Sequence, residues 1–229
     1  KLKNDKFTLW LDSFQGKKIQ ESEKQKIEEI KYCTHYNDQD VIKNERIKLL
    51  TQKQQLRIAQ ENIIGGIEKV IEQASKQNKK LNINNSYLRG ISLEKLDLSG
   101  WSFEKCNLTQ SCFNRSICNN TSFTESNLSD SKFKYAKLNN AILNTSIVKR
   151  ADFSKASLKR ALLCNCEGYA TKFPGAKLYK SNFSDSRFPG TLFLGCFANE
   201  ASFKDSIFYG SKFNDAVFND TNFSNSIFN

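Results

Sequence analysis

The chain of 229 residues has no methionine, a single histidine and two prolines. His35 stands in Cys33-Thr34-His35, and one imidazole cannot supply both a catalytic base and a second metal ligand. No Gly-rich phosphate loop, nucleophile elbow or His-Glu-x-x-His segment occurs, so the usual starting points for catalysis are missing. No apolar run approaches the ~18 residues of a membrane span, and no signal-peptide pattern is present. The seven cysteines are odd in number and include no Cys-x-x-Cys pair. That argues against a disulfide framework or a zinc site, and Cys164 and Cys166 alternate across the chain rather than converge. No catalytic residue, metal or cofactor is therefore expected. A reduced, intracellular compartment is, with the cytoplasm first and a secreted effector or an organelle as alternatives. The absence of methionine even at position 1 suggests that the chain begins inside a longer protein or after a further segment.

What the chain does have is a beat of five. From Leu88 to Phe228 every fifth residue is Phe in fifteen repeats and Leu in ten; only Val148, Cys118, Gly168 and Ala198 depart. Two residues before each of these centres, from Cys106 to Ser226, stands Ser, Ala, Thr or Cys in all 25 repeats. A period of five matches neither a helix nor an extended strand. It suits a chain that turns a corner every five residues and closes a square coil in about twenty, with one large and one small residue per side pointing inward. Pro174-Gly175 and Pro189-Gly190 follow centres in the manner of type II turns, in which glycine takes positive φ. Six glycines share that last slot, and Asn or Asp fills it in many other repeats, such as Asn120, Asp130 and Asp185.

Ser126-Asn-Leu-Ser-Asp130, Ala151-Asp-Phe-Ser-Lys155 and Ser181-Asn-Phe-Ser-Asp185 resemble the repeats of the pentapeptide repeat family. The resemblance implies a mainly β chain: a right-handed quadrilateral β-helix of about seven coils, roughly 35 Å long at strand spacing. It implies no chemistry, since such rods host unrelated functions. One branch of the family protects topoisomerases by resembling B-form DNA with an acidic surface. Residues 81–229 depart from that pattern, with 18 basic against 12 acidic side chains, net +6.

Residues 1–80 lack the beat and read as an α-helical region: a charged helix over 17–33, a polar break at 37–40, then a stripe from Ile42 through Leu49, Leu56, Ile63 and Val70. The stripe suits helices packed on themselves or on the rod. A coiled coil with a partner is the alternative, although Glu45, Gln52, Ala59 and Gly66 make a poor second seam. Gly65-Gly66 is expected to kink or break the helix. The first coil carries Ile91, Leu96 and Trp101 where later coils carry small residues. These three are expected to meet a capping helix near 63–74, because solenoid ends expose core and unpaired edge. The far end lacks an evident cap, so it is expected to meet another subunit or to continue in a longer chain.

With the interior filled, function falls to the surface. The formal net charge is +11, and residues 132–187 hold twelve Lys or Arg against three acids, net +9. Lys132, Lys134, Lys137, Lys155, Lys159, Arg160, Lys172, Lys177 and Lys180, with outward Tyr135, Tyr169 and Tyr179 among them, form a candidate basic face. Such a face suits an acidic protein or lipid surface, with nucleic acid as a weaker reading and a merely solvated face as the plain one. Leu192, Leu194, Phe197 and Val217 form a candidate apolar docking patch. Together these features point to a non-enzymatic interaction scaffold with a protein partner, either a subunit of an assembly or a recognition module of a larger or effector protein. Nucleic-acid binding and gyrase modulation are the alternatives.

Overall fold

The computed structural model describes residues 54, 62 and 64–228. The helix expected over 17–33, the break at 37–40, His35, Cys33 and most of the stripe from Ile42 lie outside the described residues. The chain divides into two compact units, Lys1–Ile67 and Glu68–Asn229. Residues 64–76 are helical, Gly65 and Gly66 included, so the glycine pair does not break the helix as its composition suggests.

From residue 82 onward the chain is a square coil. Parallel bridges join each side to the one twenty residues on, as in Lys132↔Asp152↔Lys172↔Leu192↔Lys212. The register starts one repeat earlier than the Leu and Phe pattern indicates: Asn82 bridges Ser102 and Ile83 is a buried centre. Four faces result. Face one carries the centres Phe113, Phe133, Phe153, Phe173 and Phe193, and face two carries Cys118, Leu138, Leu158, Leu178 and Ala198. Face three carries Phe123, Leu143, Leu163 and Phe183, and face four carries Leu128, Val148, Gly168 and Phe188.

The repeat Ala151–Lys155 shows why the chain settles in this form. The Ala151 amide closes the corner onto Val148 O at 3.0 Å. Asp152 donates down to Ser131 O at 2.9 Å, while Phe153 and Lys155 donate up to Lys172 O and Pro174 O at 2.7 and 2.8 Å. Only the amide of the fourth residue stays out of the ladder; here Ser154 N donates to Asp152 Oδ1 at 3.0 Å. Among the described residues no fourth-position amide enters the ladder. Pro174 and Pro189 occupy that position, so the donor that proline lacks is one the fold does not use.

The fifth residue has positive φ in every repeat from Asn85 to Asn225, and in most it is not glycine. Together with the i→i+3 bond, this is the corner that type II turn chemistry requires. The core is a set of ladders. Along face one, rings 133–153 and 153–173 stack at 4.9 and 5.1 Å between centroids, 11° and 7° from parallel. That spacing matches the ~4.8 Å between adjacent strands, so each phenyl sits on the one below without leaving its own coil. Buried hydroxyls are satisfied inside the tube: Ser126 Oγ donates to Phe103 O at 2.6 Å and Thr121 Oγ1 to Leu98 O at 2.7 Å. Among the described residues no buried side-chain N or O lacks a partner.

The helix lies against the first coil at the amides that have no coil beneath them. Higher second-position amides donate to the carbonyl twenty-one residues earlier. The Ser92 amide instead donates to Glu68 Oε1 at 2.5 Å, and the Asp97 amide to Ser75 Oγ at 3.1 Å. Ser75 Oγ also donates to Asp97 O at 2.8 Å. Ile71, Ile91 and Trp101 are buried, Leu96 is half-buried, and Trp101 stacks on Phe103 at 6.2 Å. The helix ends where Asn78 takes φ 52, with Asn78 N on Ser75 O at 3.0 Å and Lys79 N on Ala74 O at 2.9 Å. Those two bonds form a Schellman motif, which stops the helix and turns the chain into the coil.

Candidate interaction surface

The register decides where each outward residue lies. Second-position residues line a face, and fourth and fifth positions form the edge between that face and the next. Lys132 and Lys172 therefore stand on face one, and Lys137 and Lys177 on face two. Lys134, Tyr135 and Lys155 stand on the edge between these faces, while Lys159, Arg160, Tyr179 and Lys180 stand on the edge between faces two and three. All nine candidate basic residues are exposed. Tyr135, Tyr169 and Tyr179 are on three different edges, so they do not form one aromatic cluster.

The ion pairs separate these cations into two groups. Lys134 reaches Asp152 Oδ2 at 3.3 Å, and Lys180 reaches Glu200 Oε2 at 3.1 Å. The Tyr179 hydroxyl and the Glu200 carboxylate beside it hold Lys180 above the usual lysine range. Partial burial pushes the Asp152 carboxyl up, but hydrogen bonds from Ser154 and Lys134 outweigh it, and the group lies below the usual carboxylate range. Lys132, Lys137, Lys155, Lys159, Arg160, Lys172 and Lys177 make no ion pair among the described residues. Further round the rod, Arg150 and Lys149 are matched by Asp130 and Glu167, both at 2.6 Å. The excess positive charge is thus concentrated on faces one and two and the edges beside them.

At the edge between faces one and two, the Lys155 ammonium lies 5.5 Å from the Tyr135 ring and the Arg115 guanidinium 5.9 Å from it on the coil below. Arg115 was legible in principle, since it precedes Tyr135 by twenty residues, but it lies outside the stretch of densest lysine. The apolar candidates occupy a single coil and its neighbour. Phe197 is 51% exposed, and Leu192, Leu194 and Val217 are half-buried. Lys172 bridges Leu192 and Lys177 bridges Phe197, so the apolar residues follow the basic ones directly along the rod axis.

The six described cysteines are free. Burial pushes the thiols of Cys106, Cys118 and Cys196 up to about 12 and that of Cys166 to about 11, far from the nucleophilic thiolate. Among the described residues no group of His, Cys, Asp and Glu is placed to hold a metal ion. No described helix is long and apolar enough to cross a membrane.

The family comparison agrees with the geometry. The family model for pentapeptide repeats matches in eight copies over residues 113–144, 149–185 and 190–225. Among solved structures, full-length QnrB1, a plasmid-mediated fluoroquinolone resistance protein, is 16% identical over 65% of this chain and 84% of its own, with a TM-score of 0.44. HetL, involved in heterocyst differentiation regulation in the cyanobacterium Nostoc, is 16% identical over 64% of this chain and 86% of its own, with a TM-score of 0.31. A thylakoid-lumen protein of Arabidopsis thaliana is 20% identical over 52% of this chain and 69% of its own, with a TM-score of 0.28. No curated protein matches the chain in sequence. The five-residue beat, the twenty-residue pairing and the family match agree: the repeat region of this chain belongs to the pentapeptide repeat family.

Proposed function

We propose that the chain is a non-enzymatic recognition module whose rod binds an acidic surface of a partner protein through its basic faces. One observation carries this reading. Lys132, Lys137, Lys155, Lys172 and Lys177 are exposed, lie within three successive coils, and have no carboxylate partner among the described residues. The hydrogen-bonded ladder beneath them is fixed, so binding orders side chains alone and the entropic cost is small for a surface of this charge. Helix 68–76 serves as the cap of the rod, which keeps the first coil's amides from pairing with another sheet edge. The free thiols suit a reducing compartment, with the cytoplasm as the first expectation.

Direct binding of nucleic acid is the second reading, supported by the same unpaired lysines beside Tyr135. DNA mimicry toward gyrase is opposed by the net charge of +6 over residues 81–229. Capture from the native source separates these readings. Wild type should retain an acidic protein that the variant with Lys137, Lys159, Arg160 and Lys177 all changed to Glu releases. Unchanged capture by that variant contradicts the basic-face reading. Salt-sensitive binding of random duplex DNA, with no protein captured, would favour the nucleic-acid reading instead.

A further inference from the structure

The edge between faces one and two joins the two surface features that the sequence presents separately. Read up the rod, its outward residues change character coil by coil. The coil at 132–137 offers Lys132, Lys134, Tyr135 and Lys137; the next offers Asp152, Ser154, Lys155 and Ser157. The third offers Lys172 and Lys177 around Pro174 and Gly175, a step without long side chains. The fourth, at 192–197, offers Leu192, Leu194, Gly195 and Phe197, with no polar side chain among them. The bridges Lys172↔Leu192 and Lys177↔Phe197 make the basic and apolar steps direct neighbours.

We propose that this edge binds one linear segment of a partner protein, acidic along three or four residues and then apolar over the next two or three. The proposal rests on the basic-face reading above and narrows its partner. The basic coils and the apolar coil span roughly 15 Å along the axis, three strand spacings of about 4.8 Å. An extended segment reaches from end to end of that distance with five to six residues, at about 3.3 Å per step. The segregation runs along the rod, and this selects the class of partner. A bilayer separates charge from apolar matter along its normal, so a rod lying on it would meet both at one depth. A nucleic-acid duplex presents phosphates along its whole length and keeps its bases stacked inside, so it offers exposed Phe197 no apolar partner. A peptide chain can change from carboxylate to apolar along its length, as the edge does. Recognition is by side chains, since the ladder has already consumed the amides that β-strand addition would need.

The test uses the full chain and two fluorescent heptapeptides of identical composition. Glu-Asp-Glu-Glu-Leu-Phe-Leu keeps the blocks apart, and Glu-Leu-Asp-Phe-Glu-Leu-Glu interleaves them. Anisotropy titrations should show the block peptide binding roughly tenfold more tightly, about the effect of one well-buried apolar side chain. Phe197→Ser, which removes the apolar side chain without adding charge beside Lys177, should remove that advantage while leaving the affinity for Glu-Asp-Glu-Glu alone unchanged, which also shows that the variant is folded. Equal binding of both heptapeptides, or no effect of Phe197→Ser, overturns the two-part site but leaves the basic-face reading intact. No binding of any acidic peptide, alongside binding of phosphatidylserine vesicles or duplex DNA, overturns both.

Discussion

At the scale of single residues, the corners and the interior impose opposite demands. The fifth position forces φ between about 50° and 65° on side chains that rarely accept it, Thr145 among them at 59°. A β-branched residue there costs on the order of 1 kcal/mol relative to glycine. Thr145→Gly should therefore raise the urea midpoint. Inside, Gly168 is the converse case. A Cβ at residue 168 would fall 2.0 Å from the Phe188 ring on the coil above, so the ring occupies the space that the missing side chain leaves. Gly168→Ala should destabilise by roughly 1–3 kcal/mol or more, and Phe188→Leu should recover part of the loss, as a thermal double-mutant cycle would show. The buried thiols give a pH signature. Their folded pKa values are raised above the unfolded value of about 8.5. The stability they contribute is therefore full below that pH and falls as pH rises toward 11 to 12. Urea melts at pH 8 and pH 10.5 should show the loss, and Cys118→Ala should reduce it. Peptide mapping after brief alkylation at pH 8 should find half-buried Cys112 and Cys164 modified, and Cys106, Cys118, Cys166 and Cys196 protected.

At the scale of elements, the regular and the singular differ in how well the sequence exposes them. The centres, small inward slots and turn positions were legible because each recurs at every fifth residue, and a repeated error would be visible. Ile83 was not, since Ile replaces the Leu or Phe that marks a centre. The fourth-position amide was not either: its exclusion from the ladder leaves no fixed residue type, only a tolerance for Pro174 and Pro189. The contacts of Glu68 and Ser75 with the first coil occur once each, and a single residue carries no period. Their weight comes from the amides they satisfy. Glu68→Ala and Ser75→Ala each leave a ladder donor of the first coil without its protein acceptor; since both amides belong to exposed residues, each should cost about 0.5–1.5 kcal/mol. Equilibrium denaturation should show the two losses, and hydrogen exchange should rise at Ser92 and Asp97 before it rises in the middle coils. A uniform rise along the rod would show instead that the helix contributes nothing local.

At the scale of the whole molecule, the repeat specifies a filled, hydrogen-bonded rod and leaves its outward positions free to vary. The candidate surface was legible as a list of lysines but not as a shape. Composition could not separate Lys134 and Lys180, matched by Asp152 and Glu200, from Lys137 and Lys177, which are not. Nor could it show that Leu192 and Phe197 sit one coil beyond Lys172 and Lys177. Binding on faces one and two and their shared edge would leave a footprint in lysine acetylation of the full chain, compared with and without its captured partner. Lys132, Lys137, Lys155 and Lys177 should be protected, while Lys105 and Lys204 on the opposite edge stay fully reactive. Protection of Lys105 and Lys204, with the first four lysines unchanged, would contradict that placement.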